Sequence, residues 1–269
     1  MKYLTTESVK HLKIKSVKVD MTHFPEGELY LRIKEDPRGK AVTIISNITK
    51  DNLLELLLLV DAAKHAGAKI KRLIIPYMSY ARQDRIYTSG EPISGGVICT
   101  VLKNLKIPVT IYDIHSEALK RYLKFKPESV LPLLAKKLQR KKFLVVTPDV
   151  GGRGRAERIA NLLRLPLSVI KKTRRGQNIS MQFSKDVSGR DILLVEDMIS
   201  TGTTLIKASR LLKQHGARDI YCISAHGLFV GNAREKLKTA PVKKIIVSNS
   251  LPNKKSAQIE VVDISSYLR

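Results

Sequence analysis

Residues 193–204, LLVEDMISTGTT, join an apolar run to two adjacent acids and to a turn of hydroxyl groups and glycine. The apolar run predicts a buried strand over residues 192–195, so that Glu196 and Asp197 would lie at its carboxyl end. Two carboxylates at this position can accept hydrogen bonds from two neighbouring hydroxyls of a sugar. The hydroxyl and backbone N–H groups of residues 200–204, at the start of the next helix, suit a phosphate dianion. The pattern therefore indicates a site for a phosphorylated pentose, and an ordinary capped helix is the alternative.

Apolar runs alternate with helical patterns along almost the whole chain. We expect strands near residues 42–46, 72–76, 109–113, 143–147, 167–170, 192–195, 220–225 and 244–247, and helices near residues 52–66, 95–105, 131–139, 153–163, 203–215 and 232–237. Strands rich in β-branched residues that alternate with helices predict mostly parallel sheets flanked by helices, the α/β class. Ligands bind at the carboxyl ends of strands in such folds, which is where the polar motifs of this chain fall.

The sequence also contains a faint internal repeat. A helix end, a glycine and the start of a strand follow one another at residues 65–73 and again at residues 215–221. The two copies lie about half the chain apart, which predicts two similar α/β halves. A basic stretch at residues 139–142 predicts the boundary between them, with one domain over residues 1–140 and the other over residues 141–269.

The composition is that of a globular protein, with 269 residues of which 43% are hydrophobic. The sequence shows neither a secretory leader pattern nor an apolar stretch of membrane-spanning length. We therefore expect a cytoplasmic protein. Its two cysteines, Cys99 and Cys222, stand in apolar runs and are expected to be reduced thiols of the core.

The charge is strongly positive, with 49 Lys and Arg against 24 Asp and Glu and a formal net charge of +25. This balance favours anionic partners, of which nucleic acid is the first to consider. The basic residues are spread along the chain, Trp is absent and aromatic residues make up 5%, so base stacking has little support. The sequence has no zinc-finger, helix-turn-helix or basic-zipper pattern. We expect small polyanionic substrates, with neither nucleic acid nor a membrane as partner.

Four further motifs follow predicted strands. Residues 76–85 are rich in donors that can bind base edges and phosphates, and a salt-bridged loop is an equal alternative. Asp113 and His115 could hold a metal or a phosphate, or His115 could be structural. Asp149 precedes a glycine-rich helix start, where a ligand can approach the backbone closely. A basic loop beginning at residue 171 could close over phosphoryl groups or form a solvated surface.

Six short motifs stand in one order along the chain: residues 24–28 (FPEGE), 51–56 (DNLLEL), 81–85 (ARQDR), 90–94 (GEPIS), 113–116 (DIHS) and 148–152 (PDVGG). With them the chain resembles the ribose-phosphate diphosphokinases, also called phosphoribosyl pyrophosphate synthetases, over essentially its full length. The motif over residues 196–204 is shared with type I phosphoribosyltransferases. By itself it indicates recognition of ribose phosphate without choosing the reaction.

The resemblance implies two phosphoribosyltransferase-like α/β domains with the active site between them, often completed by a neighbouring subunit of a homo-oligomer. It implies Mg²⁺-dependent transfer of the diphosphoryl group of ATP to O1 of ribose 5-phosphate, which gives phosphoribosyl pyrophosphate and AMP. It also implies the following roles: ATP binding by Phe24, Glu26, Gly27, Glu28, Arg82, Gln83 and Asp84; ribose 5-phosphate binding by Glu196, Asp197, Ser200, Thr201, Gly202, Thr203 and Thr204; metal binding by His115 and Asp149; and catalysis by Lys172 and Arg174.

The chain departs from the family pattern at several of these positions. Glu26 and Glu196 stand where aspartate is common, which lengthens each side chain by one methylene and keeps the acceptor chemistry. Thr173 stands where many relatives have another basic residue, and Lys171 where many have an acid. Lys171 therefore remains the alternative to Lys172 as the catalytic lysine.

Two other functions stay open beside the synthetase. A type I phosphoribosyltransferase, which joins a base to phosphoribosyl pyrophosphate, would share residues 196–204. It would not account for residues 81–85 or for the length of two domains. A catalytically silent regulatory homologue would keep the fold but tend to lose the basic segment and the metal candidates, which are present here.

Overall fold

The chain folds into two compact units in the computed structural model, which describes residues 2–138, 142–149, 151–175 and 178–268, without the side chains of residues 171–182. The first unit is Met1–Glu128 together with Ile264–Arg269, and the second is Ser129–Asp263. The division thus falls before Ser129, whereas the sequence predicts it after residue 140. The reason is that the buried apolar residues of the helix Leu131–Ala135 pack in the second unit, ahead of the basic stretch.

The first unit is built on a five-stranded sheet. Its elements are β1 (Lys2–Thr5), β2 (Val19–His23), β3 (Leu29–Ile33), β4 (Ala41–Ile45), α1 (Leu53–His65), β5 (Lys69–Ile75), α2 (Ser94–Asn104), β6 (Val109–Tyr112) and β7 (Phe125–Glu128). The sheet has the order β1-β4-β5-β6-β7 and all its neighbouring strands are parallel. Strands β2 and β3 form a separate antiparallel pair. Apolar residues of β4, β5 and both helices form one buried core.

The second unit is built on a seven-stranded sheet. Its elements are α3 (Leu131–Ala135), β8 (Phe143–Thr147), α4 (Arg153–Leu163), β9 (Leu167–Arg175), β10 (Asn178–Phe183), β11 (Asp191–Ile199), α5 (Thr203–Gln214), β12 (Ile220–Gly227), α6 (Ala233–Lys238), β13 (Lys244–Ser248) and β14 (Ile259–Val262). The order is β10-β9-β8-β11-β12-β13-β14, parallel except for the β9–β10 pair. The predicted α/β class with mostly parallel sheets is confirmed in both units.

The predicted internal repeat appears as one junction built twice. Two residues after the end of each of helices α1 and α5 stands a glycine with a left-handed backbone, Gly67 (φ +73°) and Gly216 (φ +81°). After each glycine, the next residue donates its backbone N–H to a helical carbonyl at 3.0 Å, the pattern of a Schellman helix end. The carbonyl of each glycine accepts the backbone N–H of a second glycine at 2.9 Å, Gly39 in the first unit and Gly189 in the second. The two halves therefore share this joint in backbone detail.

The segment after Ile170 differs from the expectation. The sequence predicts a basic loop from residue 171, whereas strand β9 continues to Arg175 and pairs antiparallel with β10. In this register Lys172 lies opposite Met181 and Arg174 opposite Ile179. The extension is physically reasonable because residues 171–175 contain no Gly or Pro to end the strand, and the partner strand alternates polar and apolar residues.

Both cysteines are free and buried, and burial raises the pKa of the Cys99 thiol to about 11. This confirms the prediction of reduced core thiols. Among the residues that the structure describes, no helix combines the length and apolarity needed to span a membrane.

Candidate functional site

The acidic pair lies inside strand β11, which continues to Ile199 instead of ending at residue 195 as predicted. Glu196 is 9% exposed and Asp197 is 5% exposed, so both carboxylates are buried at the carboxyl end of the strand. The Arg155 guanidinium, on the first turn of α4, lies 3.4 Å from Asp197 Oδ2. Within the described part of the chain, Glu196 Oε1 has no hydrogen-bond partner. A buried acceptor without a partner is costly, and it is the feature expected where a polar ligand completes a site.

Glu196 has an unusual protonation equilibrium. Burial is the largest cause, followed by the nearby charges of Asp197 and Asp149, and together they raise the pKa of Glu196 to about 8. Arg155 acts in the opposite direction but does not cancel them. Glu196 therefore holds a proton at neutral pH in the protein without ligands.

The β8–α4 turn presents Asp149 next to this pair. Asp149 is exposed, and its Oδ1 accepts the backbone N–H of Gly152 at 2.8 Å. A Cβ atom at Gly152 would lie 2.3 Å from Thr147 Oγ1 and 3.6 Å from Asp149 Oδ1, so only glycine fits there without movement. The turn holds the Asp149 carboxylate at the carboxyl end of β8 while leaving it open to a ligand or cation.

The β11–α5 turn carries the five residues assigned to a phosphate: Ser200, Thr201, Gly202, Thr203 and Thr204. Gly202 has φ +76°, and a Cβ atom there would lie 3.1 Å from the Leu237 side chain, so the turn requires glycine. The three threonines are exposed, and the hydroxyls of Thr201 and Thr203 are 3.1 Å apart. Hydroxyl groups are thus gathered at the N-terminus of α5, as expected for a phosphate site.

The ATP candidates of the N-terminal motif occupy the turn between β2 and β3. Phe24 donates its backbone N–H to the Glu28 carbonyl and accepts that of Gly27, both at 2.8 Å, and Gly27 has φ +93°. The Phe24 ring meets the Tyr30 ring edge-on with centroids 5.8 Å apart and remains 48% exposed. The turn therefore offers an aromatic surface flanked by the exposed carboxylates of Glu26 and Glu28.

The other ATP candidates follow β5 and differ in exposure. Arg82 and Gln83 are exposed, whereas Asp84 is 4% exposed. Burial would raise the pKa of Asp84, but hydrogen bonds from Ser116 and Arg85 outweigh it and lower the pKa. Asp84 is thus an ionised carboxylate that is satisfied inside the protein.

His115 follows β6 and is exposed. It comes two residues after Asp113, whose φ of +42° turns the chain at the strand end. Across residues 2–138, 142–149, 151–175 and 178–268, no three His, Cys, Asp or Glu side chains are grouped so as to hold a metal ion. The two metal candidates belong to different units, His115 to the first and Asp149 to the second.

The backbones of Lys172 and Arg174 lie in β9, on the hairpin with β10. Their side chains, and that of Lys171, lie outside what the structure describes. The choice between Lys171 and Lys172 therefore remains as the sequence leaves it.

The structure brings the site candidates together in groups. In the second unit, Glu196, Asp197 and Asp149 interact electrostatically at the ends of neighbouring strands. In the first unit, Asp84 joins the segment after β5 to the segment after β6. Within residues 2–138, no hydrogen bond, ion pair or ring contact connects the β2–β3 turn with Arg82 or Gln83.

Sequence reasoning missed two residues of these groups. Arg155 forms an ion pair with Asp197. The sequence feature that could have identified Arg155 is its position on the first turn of a helix, directly after the glycine-rich residues 151–154. Ser116 donates to Asp84 at 2.6 Å, and it stood within a quoted motif without receiving a role. Both contacts join segments far apart in the sequence, so a local pattern can mark the residue but cannot show which residue it pairs with.

Comparison with known proteins agrees with this fold. Residues 1–105 match the family model for the N-terminal domain of ribose phosphate pyrophosphokinase, and residues 131–262 match the phosphoribosyl transferase domain. The chain is 37% identical to a ribose-phosphate pyrophosphokinase of Mycoplasma genitalium, with 98% of this chain and 86% of that protein covered. It is 35% identical to one of Pyrococcus abyssi, with 97% and 93% covered.

A solved structure gives the same result in three dimensions. The crystal structure of phosphoribosylpyrophosphate synthetase from Mycobacterium smegmatis superimposes with a TM-score of 0.86 and 27% identity. The superposition covers 99% of this chain and 95% of that one.

Two mostly parallel α/β units, one of which has an acid pair near the end of a central strand and a hydroxyl turn after it, define a protein with two phosphoribosyltransferase-like domains. The chain belongs to the ribose-phosphate pyrophosphokinase family. The predicted family, the predicted two-domain fold and the prediction of an enzyme are confirmed.

Proposed function

We propose that the enzyme transfers the diphosphoryl group of ATP to O1 of ribose 5-phosphate, releasing phosphoribosyl pyrophosphate and AMP, with Mg²⁺ as its cofactor. The observation that carries the proposal is the buried pair Glu196 and Asp197 ahead of an exposed hydroxyl turn. The match of residues 1–105 to the N-terminal pyrophosphokinase domain favours this reaction over that of a phosphoribosyltransferase. The same proposal includes a homo-oligomer of at least two chains in the cytoplasm.

The sugar phosphate would bind at the end of β11. A ribose hydroxyl would supply the hydrogen-bond partner that Glu196 Oε1 lacks among the described residues. Asp197, held by Arg155, would accept a hydrogen bond from the neighbouring hydroxyl. The 5-phosphate would take the hydroxyl and N–H donors of residues 200–204 at the start of α5.

The nucleotide would use donors of the first unit. The exposed ring of Phe24 offers a face for the adenine, and the exposed Arg82 and Gln83 offer donors for the base or phosphates. Glu26, Gly27 and Glu28 shape the turn beside the aromatic ring.

The candidate metal ligands are Asp149 in the second unit and His115 in the first, each considered within its own unit. The Asp149 carboxylate is exposed and only one of its oxygens accepts the Gly152 N–H, so an oxygen ligand suited to this hard cation is presented. When bound, Mg²⁺ supplies positive charge against the phosphate oxygens.

The chemical step requires alignment more than covalent participation. The O1 hydroxyl of ribose 5-phosphate would release its proton to solvent and attack the β-phosphorus in line, and the bond from that phosphorus to the oxygen bridging to the α-phosphate breaks. AMP leaves with the electron pair of that bond. Lys172 and Arg174 would neutralise charge on the transferred group.

One assay tests the proposal. The protein is incubated with ATP, Mg²⁺ and ribose 5-phosphate, and AMP is measured with and without the sugar. AMP that appears only with the sugar supports the synthetase. If AMP is absent, the protein is incubated instead with phosphoribosyl pyrophosphate and a purine or pyrimidine base. Formation of a nucleotide in that second assay would show a phosphoribosyltransferase. If neither reaction occurs in folded protein, it is a silent homologue.

A further inference from the structure

In the segment after β5, residues 81–84, two exposed residues lie between two buried ones. Ala81 is 2% exposed and Asp84 is 4% exposed, while Arg82 and Gln83 between them are exposed. The Gln83 carbonyl accepts the backbone N–H of Gly95, at the start of α2, at 3.1 Å. A Cβ atom at Gly95 would lie 2.9 Å from a Leu119 methyl group, so the segment, α2 and the 3₁₀ helix after β6 are packed without space to spare.

Asp84 is fully engaged inside the protein. Its Oδ2 accepts the Ser116 hydroxyl at 2.6 Å, and its Oδ1 accepts Arg85 Nε at 3.2 Å. Its backbone carbonyl accepts Arg121 Nη2 at 2.5 Å. Each oxygen of the Asp84 carboxylate already accepts a hydrogen bond, and the residue is almost fully buried, so it is far less accessible to a nucleotide than Arg82 and Gln83.

Ser116 connects Asp84 to the end of β6. It directly follows the exposed His115, and its hydroxyl oxygen also accepts the Ala118 N–H at 3.3 Å, which caps the 3₁₀ helix Glu117–Arg121. The Ser116–Asp84 hydrogen bond therefore ties the backbone that presents Arg82 and Gln83 to the backbone that presents His115. Arg121, from the same 3₁₀ helix, makes a second tie to Asp84.

We propose that Asp84 and Ser116 are positioning residues that hold Arg82 and Gln83 in register with His115 and do not contact the nucleotide. This rests on the proposed function, in which these three exposed side chains serve the ATP side of the reaction. Loss of the hydrogen bond leaves Arg121 as the remaining tie to Asp84 and loosens the register between the two presenting segments. The penalty then falls on the nucleotide and not on the sugar phosphate, because Glu196 and the hydroxyl turn belong to the other unit.

Ser116→Ala tests the hydrogen bond, with Ser116→Thr as the variant that restores the hydroxyl. Loss of a hydrogen bond to a charged group predicts a rise of about tenfold in the KM for ATP. The KM for ribose 5-phosphate stays within about twofold, and Ser116→Thr recovers most of the loss. Ser16→Ala is the matched control, because Ser16 is an exposed serine that accepts a hydrogen bond from Thr5 at 3.1 Å.

A double-mutant cycle tests whether Asp84 acts through Ser116. Asp84→Asn and Ser116→Ala together should weaken ATP binding, measured by calorimetry, no more than the more damaging single variant. If the loss of ATP affinity in the double variant equals the product of the losses in the two single variants, Asp84 contacts the nucleotide independently of Ser116. An equal rise in both KM values, or a lower melting temperature with unchanged KM values, would also overturn the proposal.

Two further outcomes keep the test decisive. If Ser116→Ala does not fold, Ser116→Cys replaces it, since a thiol of similar size is a weaker donor and an intermediate KM for ATP is then expected. If wild-type protein binds ATP but releases no AMP with ribose 5-phosphate, the proposed function fails while calorimetry still decides the role of the pair. If wild-type protein does not bind ATP, both proposals fall.

Discussion

Replacing Glu196 with Gln should stabilise the free protein at alkaline pH and change little at acidic pH. Burial, together with Asp197 and Asp149, raises the pKa of Glu196 from the usual 4.5 to about 8. The folded chain therefore keeps a proton that the unfolded chain releases between these two values. Stability is then lost as the pH rises from about 4.5 to about 8, because the unfolded state binds fewer protons over that interval. Glutamine is neutral throughout and escapes this loss.

The size of the effect follows from the pKa. At about 1.4 kcal/mol per pKa unit, a rise from 4.5 to about 8 corresponds to on the order of 5 kcal/mol for ionising Glu196 in the folded state. Structural relaxation and water penetration around a buried charge reduce this, so we expect the unfolding free energy of Glu196→Gln to exceed that of wild type by roughly 2–3 kcal/mol at pH 8.5. At pH 5 the difference should shrink to about 1 kcal/mol or less.

Urea unfolding of both proteins at pH 5, 6, 7 and 8.5, without ligands, measures this difference. Glu235→Gln is the matched control, because Glu235 is an exposed glutamate of the same unit paired with Lys238 at 2.7 Å. Its effect measures what removing one exposed glutamate charge does to the unfolding free energy. A difference between Glu196→Gln and wild type that stays constant from pH 5 to 8.5 would refute the assigned pKa. If the unfolding free energy of wild type rises relative to that of Glu196→Gln as the pH rises, Glu196 is ionised and its charge is stabilised in the folded protein.

Three other predictions concern activity and packing. Lys172→Ala should lower kcat on the order of a hundredfold with little change in KM, and Lys171→Ala should not; a reversed result in the AMP assay would transfer the catalytic role to Lys171. Gly152→Ala should abolish most activity, because a Cβ atom there would lie 2.3 Å from the Thr147 hydroxyl oxygen. Gly154→Ala should stay active and gain helix stability, because a Cβ atom there has nothing within 4 Å. Equal activities of the two variants would contradict the steric reasoning. Leu268→Ala removes a side chain that is 1% exposed and should lower the unfolding free energy, measured with urea, by about 2–4 kcal/mol. A smaller decrease would mean that the surrounding core collapses around the alanine.

The central strands and main helices could be predicted from sequence, because their apolar runs are long and bounded by polar turns. Helix α4 and strand β8 have the predicted limits, and the other predicted helices begin within one residue of prediction. The strands that were missed, such as β1, β7 and β14, are short segments at or next to sheet edges. Their partly exposed residues give no strong apolar run, so the neighbouring strand decides their conformation more than their own composition does.

The acid pair and the hydroxyl turn could be predicted because they are contiguous in the chain. The contacts that connect them to their surroundings could not. Arg155 reaches Asp197 from a different strand–helix unit, and Ser116 reaches Asp84 across 32 residues. A sequence pattern shows which polar residues stand at strand ends, but only the packed fold shows which of them are exposed and which are satisfied internally. Asp84, between exposed Gln83 and Arg85, is the clearest case.

The first unit takes in residues on both sides of the second along the chain, and this bears on how the protein is made. Ile264 and Leu268 are buried, and Ser265 and Tyr267 accept hydrogen bonds from Lys13 and Tyr112. During translation these residues leave the ribosome only after the whole second unit. The nascent first unit therefore keeps the apolar surface that Ile264 and Leu268 later cover exposed while the second unit is synthesised and folds. Chaperone demand should be greatest in that interval, although this unit is synthesised first.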